Sequence, residues 1–129
     1  MSFSISRKLP LDKEKIPIWF IGVWDTVGAL GAPGILQSLT RRYVRFHNTE
    51  LPSNVTHAYQ ALALHELRKQ FKPVFWTKRT SANQRIEQVW FAGAHSDIGG
   101  GYPEHGISDI TLRWMASKAE EAGLRLDNE

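Results

Sequence analysis

Two stretches of the chain are apolar without interruption. Ile18-Trp19-Phe20-Ile21-Gly22-Val23-Trp24 and Val89-Trp90-Phe91-Ala92-Gly93-Ala94 lack the alternation of a half-exposed strand. A run that is apolar on both faces predicts a strand buried in a parallel sheet. Strands are therefore expected over 18–24 and 86–94. Between them the spacing lengthens: Val55, Tyr59, Leu62, Leu67 and Phe71 recur three to five positions apart. That spacing predicts a helix over about 55–70, started by Leu51-Pro52-Ser53-Asn54 and closed by Pro73. A second helix is expected over 109–123, with Ser108 as its cap, Leu112, Met115 and Ala119 as its apolar stripe, and Gly123 at its stop. Shorter features complete the pattern: a Gly/Pro loop over 26–34, a helical turn over 35–39, brief strands over 43–46 and 74–76, and a polar loop over 78–85. Residues 1–15 read as an irregular lead-in and 16–129 as one unit, with no repeat and no low-complexity segment. Strand, helix, strand, helix describes an α/β arrangement with right-handed crossovers.

Composition narrows the class without naming a chemistry. A chain of 129 residues with 42% hydrophobic content is long enough to bury a core as one domain. Sixteen Lys and Arg against thirteen Asp and Glu give a net charge of +3. The basic residues are spread, with Arg41, Arg42 and Arg45 in one group and Lys78, Arg79 and Arg85 in another, so no nucleic-acid partner is implied. Cysteine is absent, which excludes disulfides, thiolate catalysis and Cys-ligated zinc. No apolar run approaches the roughly 18 residues of a membrane span, and residues 1–17 lack the apolar core of a secretory signal. Neither a transmembrane segment nor a cofactor is expected.

Both apolar runs end at an ionisable residue, Asp25 after the first and His95 after the second. In open α/β sheets ligands bind beyond the carboxyl ends of the strands. A buried acid left unpaired costs several kcal/mol, and a histidine nearby is the partner that relieves it. As strands neighbouring one another in a parallel sheet, the two would bring Asp25 and His95 together. In a Ser-His-Asp arrangement the acid accepts the imidazole Nδ1 hydrogen and stabilises the imidazolium formed when the nucleophile loses its proton. The order acid, then histidine, is that of α/β-hydrolases.

Three segments resemble an α/β-hydrolase family long labelled a domain of unknown function, which includes the phospholipase effectors of the bacterial type VI secretion system. They are Phe20-Ile21-Gly22-Val23-Trp24-Asp25-Thr26-Val27-Gly28-Ala29-Leu30-Gly31, then His57 with Ala61-Leu62-Ala63-Leu64 and Arg68, and then Gln88-Val89-Trp90-Phe91-Ala92-Gly93-Ala94-His95-Ser96-Asp97-Ile98-Gly99-Gly100-Gly101-Tyr102. The resemblance covers roughly residues 17 to 124. It implies a partial α/β-hydrolase fold, mostly parallel sheet with flanking helices and lacking the N-terminal half, with Asp25 as triad acid and His95 as triad histidine. It also implies a lipid or ester substrate, and synthesis in the cytoplasm with export by type VI secretion without a signal peptide. The chain departs from the family where an acid followed by Glu is usual and His65-Glu66 stands instead. His57 and His65 read as surface or packing residues.

The family's nucleophile is a serine in a G-x-S-x-G elbow on a strand before the acid, and the sequence contains no such motif. A nucleophile strand, elbow, helix and return strand need about 30 residues or more, while 24 precede Asp25. Ser2, Ser4 and Ser6 lie in the polar lead-in, and Ser96, next to His95 on an extended segment, would point its side chain away from it. The chain thus reads as the C-terminal portion of a serine hydrolase: a truncated gene, a piece of a longer protein, or half of a split enzyme whose nucleophile a complementary N-terminal chain supplies. Other readings of the same residues remain: a non-catalytic remnant or interaction module with a sticky strand edge, and a metal-dependent hydrolase built on His95, Asp97, His105 and Asp109. A phosphate loop at Gly99-Gly100-Gly101 lacks the Lys and Ser/Thr of a P-loop and a helix directly after it.

Overall fold

The computed structural model of the protein describes residues 16–27, 50–77, 79 and 81–126. The expected lead-in over 1–15, the helical turn over 35–39, the brief strand over 43–46 and nearly all of the loop over 26–34 lie outside these residues. Three strands form a parallel sheet in the order β1 (Ile18–Trp24), β2 (Val55–Ala63), β3 (Arg85–Phe91). A 3-10 turn, Lys69–Phe71, lies in the β2–β3 connection. Two helices follow β3: the short α1 (His95–Gly99) and the longer α2 (Gly106–Glu121). The architecture is a partial α/β fold, a parallel sheet with flanking helices.

The helix expected over 55–70 is a strand. In register, Trp24 of β1 lies opposite Ala61, and Ala63 of β2 lies opposite Phe91, so β2 is the centre of the sheet and separates the two runs expected to be neighbours. Both of its faces are covered. On one, Ala58 packs with Ile21, Trp76 and Ile86. On the other, Tyr59 meets Trp114 of α2 edge-on at 6.2 Å. A strand buried on both faces has no reason to alternate polar and apolar, and three alanines, a leucine and a glutamine fit a helix equally well as local choices. Position decides against it: Ala58, Ala61 and Ala63 are small enough for layers on both sides to approach.

Conversely, the two most apolar runs form the strands flanking β2. Trp19 of β1 is 62% exposed, and among the described residues no strand pairs with the outer edge of β1 or β3. Strand β3 stops at Phe91 rather than continuing to residue 94. The stretch 74–76 forms no strand. Val27 bridges Pro73 in antiparallel sense, and the Gln88 amide binds both the N–H and the carbonyl of Trp76 at 3.0 Å. Helix α2 begins three residues earlier than expected. Ser108 sits inside its first turn, with its hydroxyl donating to His105 O at 3.0 Å. Met115 and Ala119 are buried as expected, but Leu112 is 57% exposed and Thr111 takes the inward position. The Thr111 hydroxyl lies 2.9 Å from the Ile98 carbonyl, which joins the two helices. Met115 settles on Gly22, where a β-carbon would come within 2.6 Å of its sulfur. A glycine in β1 is thus the seat of α2.

Candidate active site

All three strands run the same way, so the segments that follow them emerge on one edge of the sheet. Asp25 leaves β1, Leu64 to Glu66 leave β2, and Ala92 to His95 leave β3.

Asp25 turns the chain sharply. Its φ is 42°, in the left-handed region that Asp and Asn tolerate better than other non-glycine residues. The turn folds the side chain back over the end of β2. Its own N–H still donates to Ala61 O at 2.7 Å, while Oδ1 accepts the N–H of Ala63 at 3.0 Å. A donor that would have paired with the next residue of β1 is satisfied by the carboxylate instead. At 1% exposure the acid is inside the protein, and its second oxygen needs a partner. That partner is His95: Nδ1 lies 2.8 Å from Asp25 Oδ2. A carboxylate only accepts, so Nδ1 carries the hydrogen. Nε2 is left as the lone-pair nitrogen, with no hydrogen-bond partner among the described residues. The His95 side chain is 31% exposed, so the ring is held at one end and reachable from solvent.

The backbone before His95 is positioned as closely as the ring. Gly93 has φ 129°, and a β-carbon there would meet Asp97 Cβ at 2.8 Å, so the bend requires glycine. Asp97 Oδ2 accepts the N–H of Ala94 at 2.8 Å. From the β2 side, His65 N donates to Gly93 O at 2.9 Å and Gly93 N donates to His65 Nδ1 at 3.1 Å. Glu66 Oε2 lies 3.3 Å from His95 N. Phe71 packs against the imidazole with ring centroids 5.1 Å apart, and the Arg68 guanidinium lies over the Phe71 ring, 3.9 Å from its centroid. Arg68 also grips Glu66 with both ends of its guanidinium, at 2.8 and 2.7 Å. That grip holds the Glu66 carboxyl well below its ordinary 4.5, at about 2, against burial, which pushes it up.

The remaining candidates separate. His95 and Ser96 are not on an extended segment but open α1, where adjacent residues project in different directions and do not face one another. Of the glycine run, Gly99 ends α1 and Gly100, at φ 81°, terminates it in the left-handed conformation, with Gly101 N returning to Ser96 O at 2.8 Å. The run is a helix stop. His95, Asp97, His105 and Asp109 do not converge, and no three His, Asp or Glu among the described residues are placed to hold a metal ion. His57 stacks on Tyr59 and meets Trp19 edge-on. Ser38 lies outside the described residues. The sequence reasoning missed Glu66, Arg68 and Phe71 because it placed them on or beside a helix. Their sequence signal was the presence of Glu66 and Arg68, two positions apart, in the segment that carries the family resemblance, with Phe71 three positions further on.

A parallel α/β sheet with a buried carboxylate and a half-open imidazole at its carboxyl edge belongs to the class whose ligands bind at the strand ends. Comparison with known families is more specific. The catalytic-domain model of the Tle1-like phospholipase effectors of the type VI secretion system matches residues 3–118, and the chain belongs to that family. The uncharacterized protein YEL023C of Saccharomyces cerevisiae is 33% identical over 54 residues, which is 38% of this chain and 8% of that protein. The chain thus corresponds to a small part of that relative's length. No solved structure matches the chain.

Proposed function

We propose that the chain supplies the acid and the general base of a serine hydrolase acting on lipid or other ester bonds, with Asp25 as acid and His95 as base. The observation that carries this reading is the 2.8 Å contact between His95 Nδ1 and the buried Asp25 carboxylate. Asp25 fixes the tautomer in which Nε2 can take a proton from a serine hydroxyl, and it stabilises the imidazolium that results; His95 then returns the proton to the leaving alkoxide. Membership of a phospholipase effector family supports a phospholipid as the ester and delivery by type VI secretion. The nucleophile comes from outside residues 1–129, since the sequence holds no G-x-S-x-G elbow. A complementary chain bearing that elbow is the implied partner, and a cleft of about 360 Å³ between Trp24, Ile98, Gly100, Ser108 and Leu112 lies beside the elements that carry the pair.

The test is complementation. The chain is mixed with a partner bearing a G-x-S-x-G segment of the same family, and release of fatty acid from phospholipid vesicles is followed with the wild type and with His95→Ala. Hydrolysis that depends on His95 is expected. Equal rates with both would end the hydrolase reading and leave a non-catalytic interaction module.

A further inference from the structure

We infer that Glu66 and Arg68 are positioning residues for His95: the pair sets the backbone and the ring plane of the histidine so that its Nδ1–H stays on Asp25. The inference rests on the reading of His95 as the base, and it concerns residues that no feature of the triad assigns.

Asp25 alone does not determine the imidazole. One hydrogen bond to Nδ1 leaves the ring free to swing about it, and His95 is the first residue of α1, where the backbone N–H has no carbonyl within the helix to accept it. Glu66 supplies that acceptor. Its Oε2 receives the His95 N–H at 3.3 Å, from a side chain only 3% exposed. A buried carboxylate at this place needs a cation, and Arg68 provides it through Nε and Nη2, at 2.8 and 2.7 Å, the two-pronged geometry only arginine offers. The same guanidinium lies 3.9 Å from the Phe71 ring centroid, and Phe71 lies against the imidazole. The contacts run in a closed circuit: Glu66 to His95 through the backbone, Glu66 to Arg68 through charge, Arg68 to Phe71 through the ring face, Phe71 to His95 through packing. An ion pair serving stability alone has no need to meet the histidine by two routes, at its backbone directly through Glu66 and at its ring by way of Phe71. The Glu66 N-terminal neighbour His65 adds a third tie from the same turn, through Gly93.

The experiment reads the imidazole in the isolated chain, with no nucleophile or substrate present. Nitrogen-15 and proton NMR report the His95 tautomer and the rate at which its Nδ1–H exchanges with water. In the wild type a single Nδ1–H tautomer is expected, and Asp25→Asn serves as the control that loses it. In Glu66→Ala and Arg68→Ala, the Nδ1–H exchange should accelerate by about tenfold to a hundredfold, the scale on which supporting shells act, with the Nε2–H tautomer appearing. Arg68→Lys keeps the charge but not the fork, and should behave as Arg68→Ala does. Glu66→Gln retains an acceptor for the His95 N–H and should fall between wild type and Glu66→Ala. If Glu66→Ala loses its amide dispersion, the two Arg68 variants and Glu66→Gln carry the test. Variants that are less heat-stable yet keep wild-type exchange and tautomer would show the pair to be structural only and overturn the inference. That result is separate from failure of the hydrolase reading, which is decided by His95→Ala in the complemented enzyme.

Discussion

At the scale of single residues, Asp25 carries two unrelated tasks. One carboxylate oxygen completes the hydrogen bonding of β2 at Ala63 and the other holds His95, so substitutions separate stability from chemistry. Asp25→Asn keeps the size and the tolerance for the left-handed backbone, but its amide cannot stabilise an imidazolium. In the complemented enzyme a loss of about 10,000-fold in kcat is expected, with a circular dichroism spectrum like the wild type. Asp25→Ala also strands the buried Ala63 N–H, which should cost about 1–3 kcal/mol in urea unfolding. Gly93 makes a sharper case. At φ 129° with Asp97 against it, Gly93→Ala should cost a further 1–3 kcal/mol, roughly the strain of a disfavoured backbone, and should reduce His95-dependent turnover, because the bend aims His95. Glu66 links this site to pH. Its carboxyl titrates at about 2 in the folded chain against an ordinary 4.5. A group whose folded value is depressed stabilises the fold fully above its unfolded value, and that contribution disappears as pH falls through the folded value. The stability difference between wild type and Glu66→Gln should therefore be constant above pH 4.5 and shrink between 4.5 and about 2, as denaturant melts across that range would record. A difference that grew on acidification would contradict the pairing with Arg68.

At the scale of elements, β2 is the member on which everything else rests. Among the described residues it is the one strand paired on both edges, and residues before and after it tie down its neighbours: Asn54 O accepts from Ile18 N, Leu64 N donates to Phe91 O and His65 N to Gly93 O. Leu62 is 1% exposed, and Leu62→Ala should destabilise the chain by about 2–5 kcal/mol. Overpacking is as informative as a cavity. Ala61→Leu inserts three carbons beside Ala63 and Ile98 and should cost about 1–3 kcal/mol, loosening α1 and with it His95. The contacts that hold helix α2 include Met115 on Gly22, Trp114 against Tyr59 and Phe91, Lys118 paired with Glu87 of β3, and Thr111 on the last turn of α1. Of these the Thr111 contact bears directly on the site, since it is a hydrogen bond to the helix that His95 begins.

For the whole molecule, the proposed reading gives the chain an acid and a base whose nucleophile must come from elsewhere. Removing the nucleophile from a triad leaves at most residual catalysis, and the oxyanion hole is built partly from the backbone that follows the missing serine. The isolated chain should therefore hydrolyse a short-chain p-nitrophenyl ester no faster than buffer. Activity in the isolated chain that vanished in His95→Ala would place the nucleophile within residues 1–129, with Ser96 and Ser38 the first to replace. No helix among the described residues is long and apolar enough to cross a membrane. If a nucleophile-bearing chain pairs with this one, its binding must raise the melting temperature with concentration, because a partner that binds only the folded state stabilises it by mass action.

The sequence by itself determined the class of fold, the first strand to the residue with the acid that directly follows it, and the last helix to within three residues. Each of these is written locally: an unbroken apolar run, a 3.6-residue stripe, a polar residue where such a run stops. It did not determine β2. Residues 55–63 are apolar because both faces are covered, and a segment covered on both faces loses the period that distinguishes strand from helix. Misreading that segment carried Glu66, Arg68 and Phe71 into the wrong element, and so hid their approach to His95. Nor could local pattern show that His95 opens a helix, since three consecutive glycines describe a loop as well as they describe a helix stop. Only the tertiary structure decided these points, because the contacts that fix them join residues 25, 63, 66 and 95, and no window along the chain contains all four.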